Sequence, residues 1–216
     1  MQDTSQSPPQ PKALSFGEFI TALFHALAKE GVRPFVLRNY EGFPDNNAGS
    51  DVDFLIRLTE LPRAIRALRS IQGITVVGYA ERHYVAHVFV EGVTPAAGIR
   101  ALGIDFIWCM NWKGLPYMPA ETALAAAILR TAGDAVFFVP SPVHEAAISL
   151  LASLIIGGRL KEKYIPQVRH TFSSDRPESI SALSPQFGLK VATQLVDAVI
   201  GGDRQKALDC VRPLRI

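Results

Sequence analysis

Strand-forming patterns are confined to the first half of this 216-residue chain, and from Pro119 onward the sequence turns Ala- and Leu-rich at helical spacing. Such segregation excludes a βα repeat running through the whole chain and points to an α+β domain followed by helices. The expected division is a disordered tail over 1–13, an α+β domain over 14–115 and a helical domain over 116–216. Hydrophobic residues make up 48% and charged residues 19%, which supplies a large core and excludes global disorder.

The order of elements follows from short signals. Ser15 and Glu18 form an S-x-x-E capping box ahead of Phe16, Phe19, Ile20, Leu23, Phe24 and Leu27, and Gly31 ends that helix. Pro34 precedes a strand over Phe35–Arg38, and a loop rich in Asn, Gly, Pro and Asp runs from Asn39 to Ser50. A strand over Val52–Leu58 and an amphipathic helix over Thr59–Ile71 come next. Strands are then expected over Ile74–Tyr79, Tyr84–Val90 and Leu102–Met110. Beyond them only helices are expected, over Glu121–Arg130, Pro142–Ile156, Lys161–Phe172, Phe187–Ile200 and Asp203–Val211.

Several function classes drop out on charge and composition. Twenty-two Lys and Arg against 20 Asp and Glu leave a net charge of +2, too balanced for a protein that lives on nucleic-acid phosphates. Met1–Lys12 has no apolar signal-peptide core. The most apolar run, Ala146–Ile156, is about half the ~20 residues a membrane span needs. Cys109 and Cys210 are the two cysteines, which excludes a disulfide framework and suits a reducing, cytoplasmic setting.

Chemistry concentrates in Gly49-Ser50-Asp51-Val52-Asp53-Phe54-Leu55-Ile56. Asp51 and Asp53 are two apart on a strand, so their carboxylates project from one face and can share a cation. Asp105 interrupts the apolar strand Ile104-Asp105-Phe106-Ile107, where a lone carboxylate is costly unless paired or metal-bound. If that strand neighbours the first, three carboxylates converge. Such a set suits Mg²⁺, and two ions could activate an attacking hydroxyl and stabilise a pyrophosphate leaving group. Asp51 and Asp53 would hold both metals, with Asp105 completing the nucleophile side. The plainer reading is an Asp-x-Asp that caps turn amides.

Other candidates are weaker. His83 and His87 share a face but lack a third zinc ligand, and are expected as a satisfied pair. His144-Glu145 fails the H-E-x-x-H pattern. Cys109 reads as a buried thiol, and Trp108 and Trp112 as core residues or ring-stacking surfaces.

Gly-Ser-Asp-x-Asp running into an apolar strand, a later strand aspartate, a preceding helix and a helical C-terminal part together resemble the nucleotidyltransferase superfamily, with its DNA polymerase β-like fold. Val36-Leu37-Arg38-Asn39-Tyr40-Glu41-Gly42-Phe43-Pro44, Pro142-x-His144-Glu145-Ala146 and Gly158-Arg159-Leu160-Lys161-Glu162-Lys163-Tyr164 are similar to nucleotidyltransferase-like domains of bacterial polysaccharide loci. The resemblance implies a mixed β-sheet with flanking helices and a helical C-terminal subdomain. It implies an NTP substrate, a small-molecule acceptor such as a glycan precursor, and catalytic roles for Asp51, Asp53 and Asp105. It also implies that Lys161 and Lys163 reach a triphosphate from the helical half and that Ser50 binds nucleotide, while Arg38, which departs from the family's pattern, is expected to offer its guanidinium to phosphate as a substitute. The family's Gly-Ser or Gly-Gly pair, usually about ten residues before the first aspartate, is replaced here by Arg38-Asn39. Some members precede a thymidylate-kinase-like domain; this sequence has no G-x-x-x-x-G-K-[ST], so a separate kinase-type partner is expected. The rival readings are a non-catalytic ligand- or partner-binding module of the same fold and, last, a D-x-D glycosyltransferase.

Overall fold

The structure, a computed structural model, describes residues 13–46, 51–94, 101–113, 115–118 and 120–215. In chain order the principal elements are β1 (Leu14–Ser15), α1 (Phe16–Lys29), β2 (Asp51–Leu55), α2 (Leu61–Arg69), β3 (Thr75–Glu81), β4 (Val85–Glu91), β5 (Val93–Thr94), β6 (Leu102–Ile107), β7 (Met110–Trp112), β8 (Leu115–Met118), α3 (Ala120–Ala125), β9 (Ile128–Ala132), β10 (Ala135–Val139), α4 (Pro142–Leu151), α5 (Ile165–Ser174), α6 (Arg176–Gly201) and α7 (Arg204–Val211).

The central sheet has the order β2-β6-β4-β3, with β2 parallel to β6 and the other pairs antiparallel. Its two faces have different fates. Val52, Phe54, Ile104, Phe106, Ala86 and Val88 turn toward α1 and α2 and form one core. Leu55, on the opposite face, joins a second core built from Met110, Tyr117 and the helices of the C-terminal half. Period-two alternation sends the odd-numbered residues of β2 to that second face, carboxylates included.

Helix α1 begins as the sequence demands: the Ser15 hydroxyl accepts from the Glu18 amide at 3.2 Å, and the Ser15 amide donates to Glu18 Oε2 at 2.7 Å. Its buried stripe of Phe19, Ile20, Leu23, Phe24 and Leu27 lies against the sheet.

The chain is not helical throughout its second half. The helix expected over Glu121–Arg130 stops at Ala125, and β9 and β10 form an antiparallel hairpin about Gly133, whose φ is +61°. Phe137 of this hairpin stacks on Phe24 of α1 at 5.0 Å, so burial against α1, which no local spacing encodes, favours the extended form. Strand β6 ends at Ile107, and a short hairpin, β7–β8, follows where one longer strand was expected. The expected strand Phe35–Arg38 reduces to single bridges, Phe35 to Phe138 and Val36 to Phe54, because Asn39 turns the chain away with a φ of +59°. The expected helix Pro142–Ile156 is α4 followed by a π-helical turn over Ala152–Ile156. The helix expected from Phe187 begins at Arg176 and is kinked at Gly188. Among the described residues no helix is long and apolar enough to cross a membrane.

Candidate active site

Strand pairing brings the three sequence-picked acids together. Asp53 is the direct cross-strand partner of Asp105, and Asp51 pairs with Gly103 one row along the same face. One carboxylate oxygen from each of Asp51, Asp53 and Asp105 lies within 4.8 Å of the others. These are hard oxygen donors at a spacing one divalent cation can bridge, and the donor set fits Mg²⁺.

Electrostatics in the cluster call for positive charge. Burial pushes the Asp51 carboxyl above its ordinary value, and the Asp53 carboxylate adds to the rise. Burial also raises Asp105, although its hydrogen bond with His87 works the other way. Asp53, the deepest of the three at 2% exposed, is met by Arg38, whose Nε donates to its Oδ2 at 2.5 Å. For the guanidinium, burial opposes the charge, but Asp53 outweighs it and holds the proton more firmly than usual. Arg38, read from the sequence as a phosphate ligand, thus engages a carboxylate in this structure.

The sequence points to His87 as a satisfied residue but not to its partner in the cluster. The Nδ1 of His87 lies 2.8 Å from Asp105 Oδ1, because β4 pairs antiparallel with β6 and places His87 opposite Asp105. His83, expected on the same strand face as His87, precedes β4, and its carbonyl accepts from Trp108 Nε1 at 3.1 Å. The signal for His87 lay in strand register, which spacing along one strand does not reveal.

Two adjoining cavities flank Arg38 where the sheet meets the helical half. One, of about 250 Å³, touches Arg38, Asp53, His87, Asp105, Asn111 and Tyr117. Burial pushes the Tyr117 hydroxyl up to about 12. Cys109 also lines this cavity, half-buried rather than sealed in the core as expected. The second cavity, of about 170 Å³, touches Arg38, Glu145, Ser149, Lys161 and Tyr164. The π-helical residues Ala152 and Ile156 wall both. Glu145, on the wall of the second cavity, accepts the Tyr40 hydroxyl at Oε2, 2.7 Å away.

Lys161 and Arg38 therefore share one cavity although they come from opposite halves of the chain. Lys163 instead lays its ammonium 4.8 Å from the Tyr164 ring centre. Ser50 lies outside the described residues. A roomier hollow of about 550 Å³ is lined by Arg159, Lys161 and Arg204 but by none of the three acids, and Arg204 there is paired with Glu162.

No family profile and no curated protein matches the chain. Among solved structures it is similar to the antibiotic-resistance factor ANT(2'')-Ia, with 14% identity, coverage of 90% of this chain and 94% of that one, and a TM-score of 0.46. It is also similar to JHP933 from Helicobacter pylori, with 12% identity, coverage of 91% and 96%, and a TM-score of 0.35. At these identities and scores the likenesses decide nothing about chemistry. A mixed sheet with flanking helices and a helical C-terminal part, the α+β class expected, is the architecture observed.

Proposed function

We propose that this chain transfers a nucleoside monophosphate from an NTP to a hydroxyl of a small acceptor. The observation that carries this reading is the meeting of Asp51, Asp53 and Asp105 on one sheet face within 4.8 Å. Structural needs alone do not assemble three carboxylates at half-buried and buried positions, because each loses solvation and repels the others. The resemblance drawn from Gly49-Ser50-Asp51-x-Asp53 adds the reaction class.

Asp51, Asp53 and Asp105 would hold Mg²⁺. Bound there, the metal would supply charge stabilisation to a phosphoryl group and lower the pKa of a coordinated hydroxyl. The protein's own groups do the rest. Asp105, hydrogen-bonded with His87, would accept the acceptor's proton. Lys161, and Arg38 once it parts from Asp53, offer cationic donors to the phosphates. The acceptor oxygen forms a bond to the α-phosphorus as the bond to pyrophosphate breaks, and the hydroxyl proton passes to the carboxylate. A glycan-precursor acceptor and a separate kinase-type partner belong to this reading through the resemblance alone.

The Arg38–Asp53 ion pair, which ties up the deepest carboxylate, favours a second reading: a ligand-binding module without turnover. Calorimetric titration of Mg-ATP into wild type and Asp51→Ala, with an assay for pyrophosphate release over a sugar and polyol panel, tests both. Binding abolished by the substitution and pyrophosphate release with an acceptor support transfer. Binding without release in any acceptor supports the module, and no NTP binding overturns the proposal.

A further inference from the structure

Phe89 is 44% exposed although it sits in β4, an inner strand of the central sheet. Its strand neighbours Val88 and Val90 are buried on the other face, toward α1 and α2. On its own face, Val85 is buried and His87 half-covered, so cover by the helical half ends before Phe89. Leaving a phenylalanine at that exposure forgoes roughly half of the about 1.5–3 kcal/mol that full burial would supply.

What flanks the ring is unusual as well. In register, Phe89 is paired with Gly78 on one side and Gly103 on the other. A Cβ at Gly78 would lie 3.0 Å from Phe89 Cδ2. A Cβ at Gly103 would lie 3.4 Å from Asp51 Cβ and 3.9 Å from Phe89 Cε1. The Phe89 ring takes up the room that both glycines leave, and Gly103 beneath it is buried. Asp51 stands on the far side of Gly103, as its other partner. The aromatic surface is thus the next side chain along the row from a carboxylate of the cluster.

We infer that Phe89 is a stacking platform for the nucleobase of the nucleotide held at the carboxylates. This rests on the proposed function, which requires an NTP at Asp51 and Asp53, and adds where its base lies. A nucleoside triphosphate anchored beside Asp51 carries one flat base, and the exposed part of the Phe89 ring, which the missing side chains of Gly78 and Gly103 let settle on the sheet, offers it an aromatic surface. Stacking on a phenylalanine reads a π-face and no hydrogen-bond edge, so purine and pyrimidine nucleotides should bind with similar affinity.

The test is calorimetric binding of ATP, UTP and inorganic tripolyphosphate, each in Mg²⁺, to wild type, Phe89→Ala and Phe89→Trp, with thermal unfolding to verify folding. Phe89→Ala should weaken ATP and UTP about 5- to 100-fold, leave tripolyphosphate unchanged, and be rescued by Phe89→Trp. Tripolyphosphate matching ATP in wild type, or equal losses for both in Phe89→Ala, overturns the platform and leaves nucleotidyl transfer standing. Wild type binding neither ATP nor tripolyphosphate overturns the proposed function and the platform together.

Discussion

Arg38 donates its Nε to Oδ2 of Asp53 at 2.5 Å, joining a half-exposed guanidinium to a carboxylate whose side chain is 3% exposed. The pair gives the deepest acid a counter-charge from within the chain, at the spot where a divalent cation would otherwise supply it. Truncating Arg38 leaves that charge without its partner. Because the guanidinium is half in water, the cost lies below that of a fully buried pair, about 2 kcal/mol. Arg38→Ala should therefore unfold at lower temperature without metal, and Mg²⁺ should raise its Tm by more than it raises that of wild type. Equal Mg²⁺ responses would dissociate Arg38 from the metal site.

Asp51 bears on metal binding directly. Its carboxyl is raised by burial and by Asp53, so removing its charge relieves repulsion. Asp51→Asn should melt a few degrees higher than wild type without metal, on the scale of ~1 kcal/mol. Mg²⁺ at ten times its Kd should add about 1.4 kcal/mol to wild type and nothing to the variant. Differential scanning fluorimetry over a Mg²⁺ series reads both effects.

Lys161 faces the cavity that Arg38 shares, from the opposite half of the chain. Lys161→Met should weaken Mg-ATP about tenfold, the loss of one charge-assisted hydrogen bond. Mg²⁺ binding alone should not change. Titration of each ligand separates the two, and an equal loss in both would point to a disturbed fold.

Glu145 offers a pH signature away from the carboxylate cluster. Burial raises its carboxyl above the ordinary value, with the Tyr40 hydrogen bond opposing. An acid whose native pKa exceeds its unfolded one binds more protons in the native state. Its contribution to stability therefore grows as pH falls through the raised value toward 4.5 and fades as pH rises above it. Glu145→Gln should flatten that slope in denaturant midpoints measured across the acid range, while keeping an acceptor for Tyr40.

The β9–β10 hairpin, whose start overlaps the helix expected over Glu121–Arg130, should prove structurally costly to disturb. Phe137 is 2% exposed and stacks on Phe24. Phe137→Ala should cost about 3–5 kcal/mol, read from chemical denaturation.

Local rules made much of this protein legible in advance. The capping box at Ser15 and Glu18 starts α1 where expected, and period-two alternation alone puts Asp51 and Asp53 on one side of β2. The Asp105 anomaly, an acid in an apolar strand, was equally visible. These features depend on neighbours a few residues away, so the order of residues determines them.

Which strand lies beside which is a different kind of fact. Asp105 meets Asp53 because β6 pairs parallel with β2, fifty residues apart, and His87 joins them because β4 pairs with the other edge of β6. Arg38 turns to Asp53, the β9–β10 hairpin settles on α1, and Lys161 comes to Arg38 only when the two halves pack. Each is decided by burying apolar faces over long loops and matching charge across the buried surface. Those energies belong to the packed molecule, so tertiary structure decided them, and no short stretch of sequence contains them.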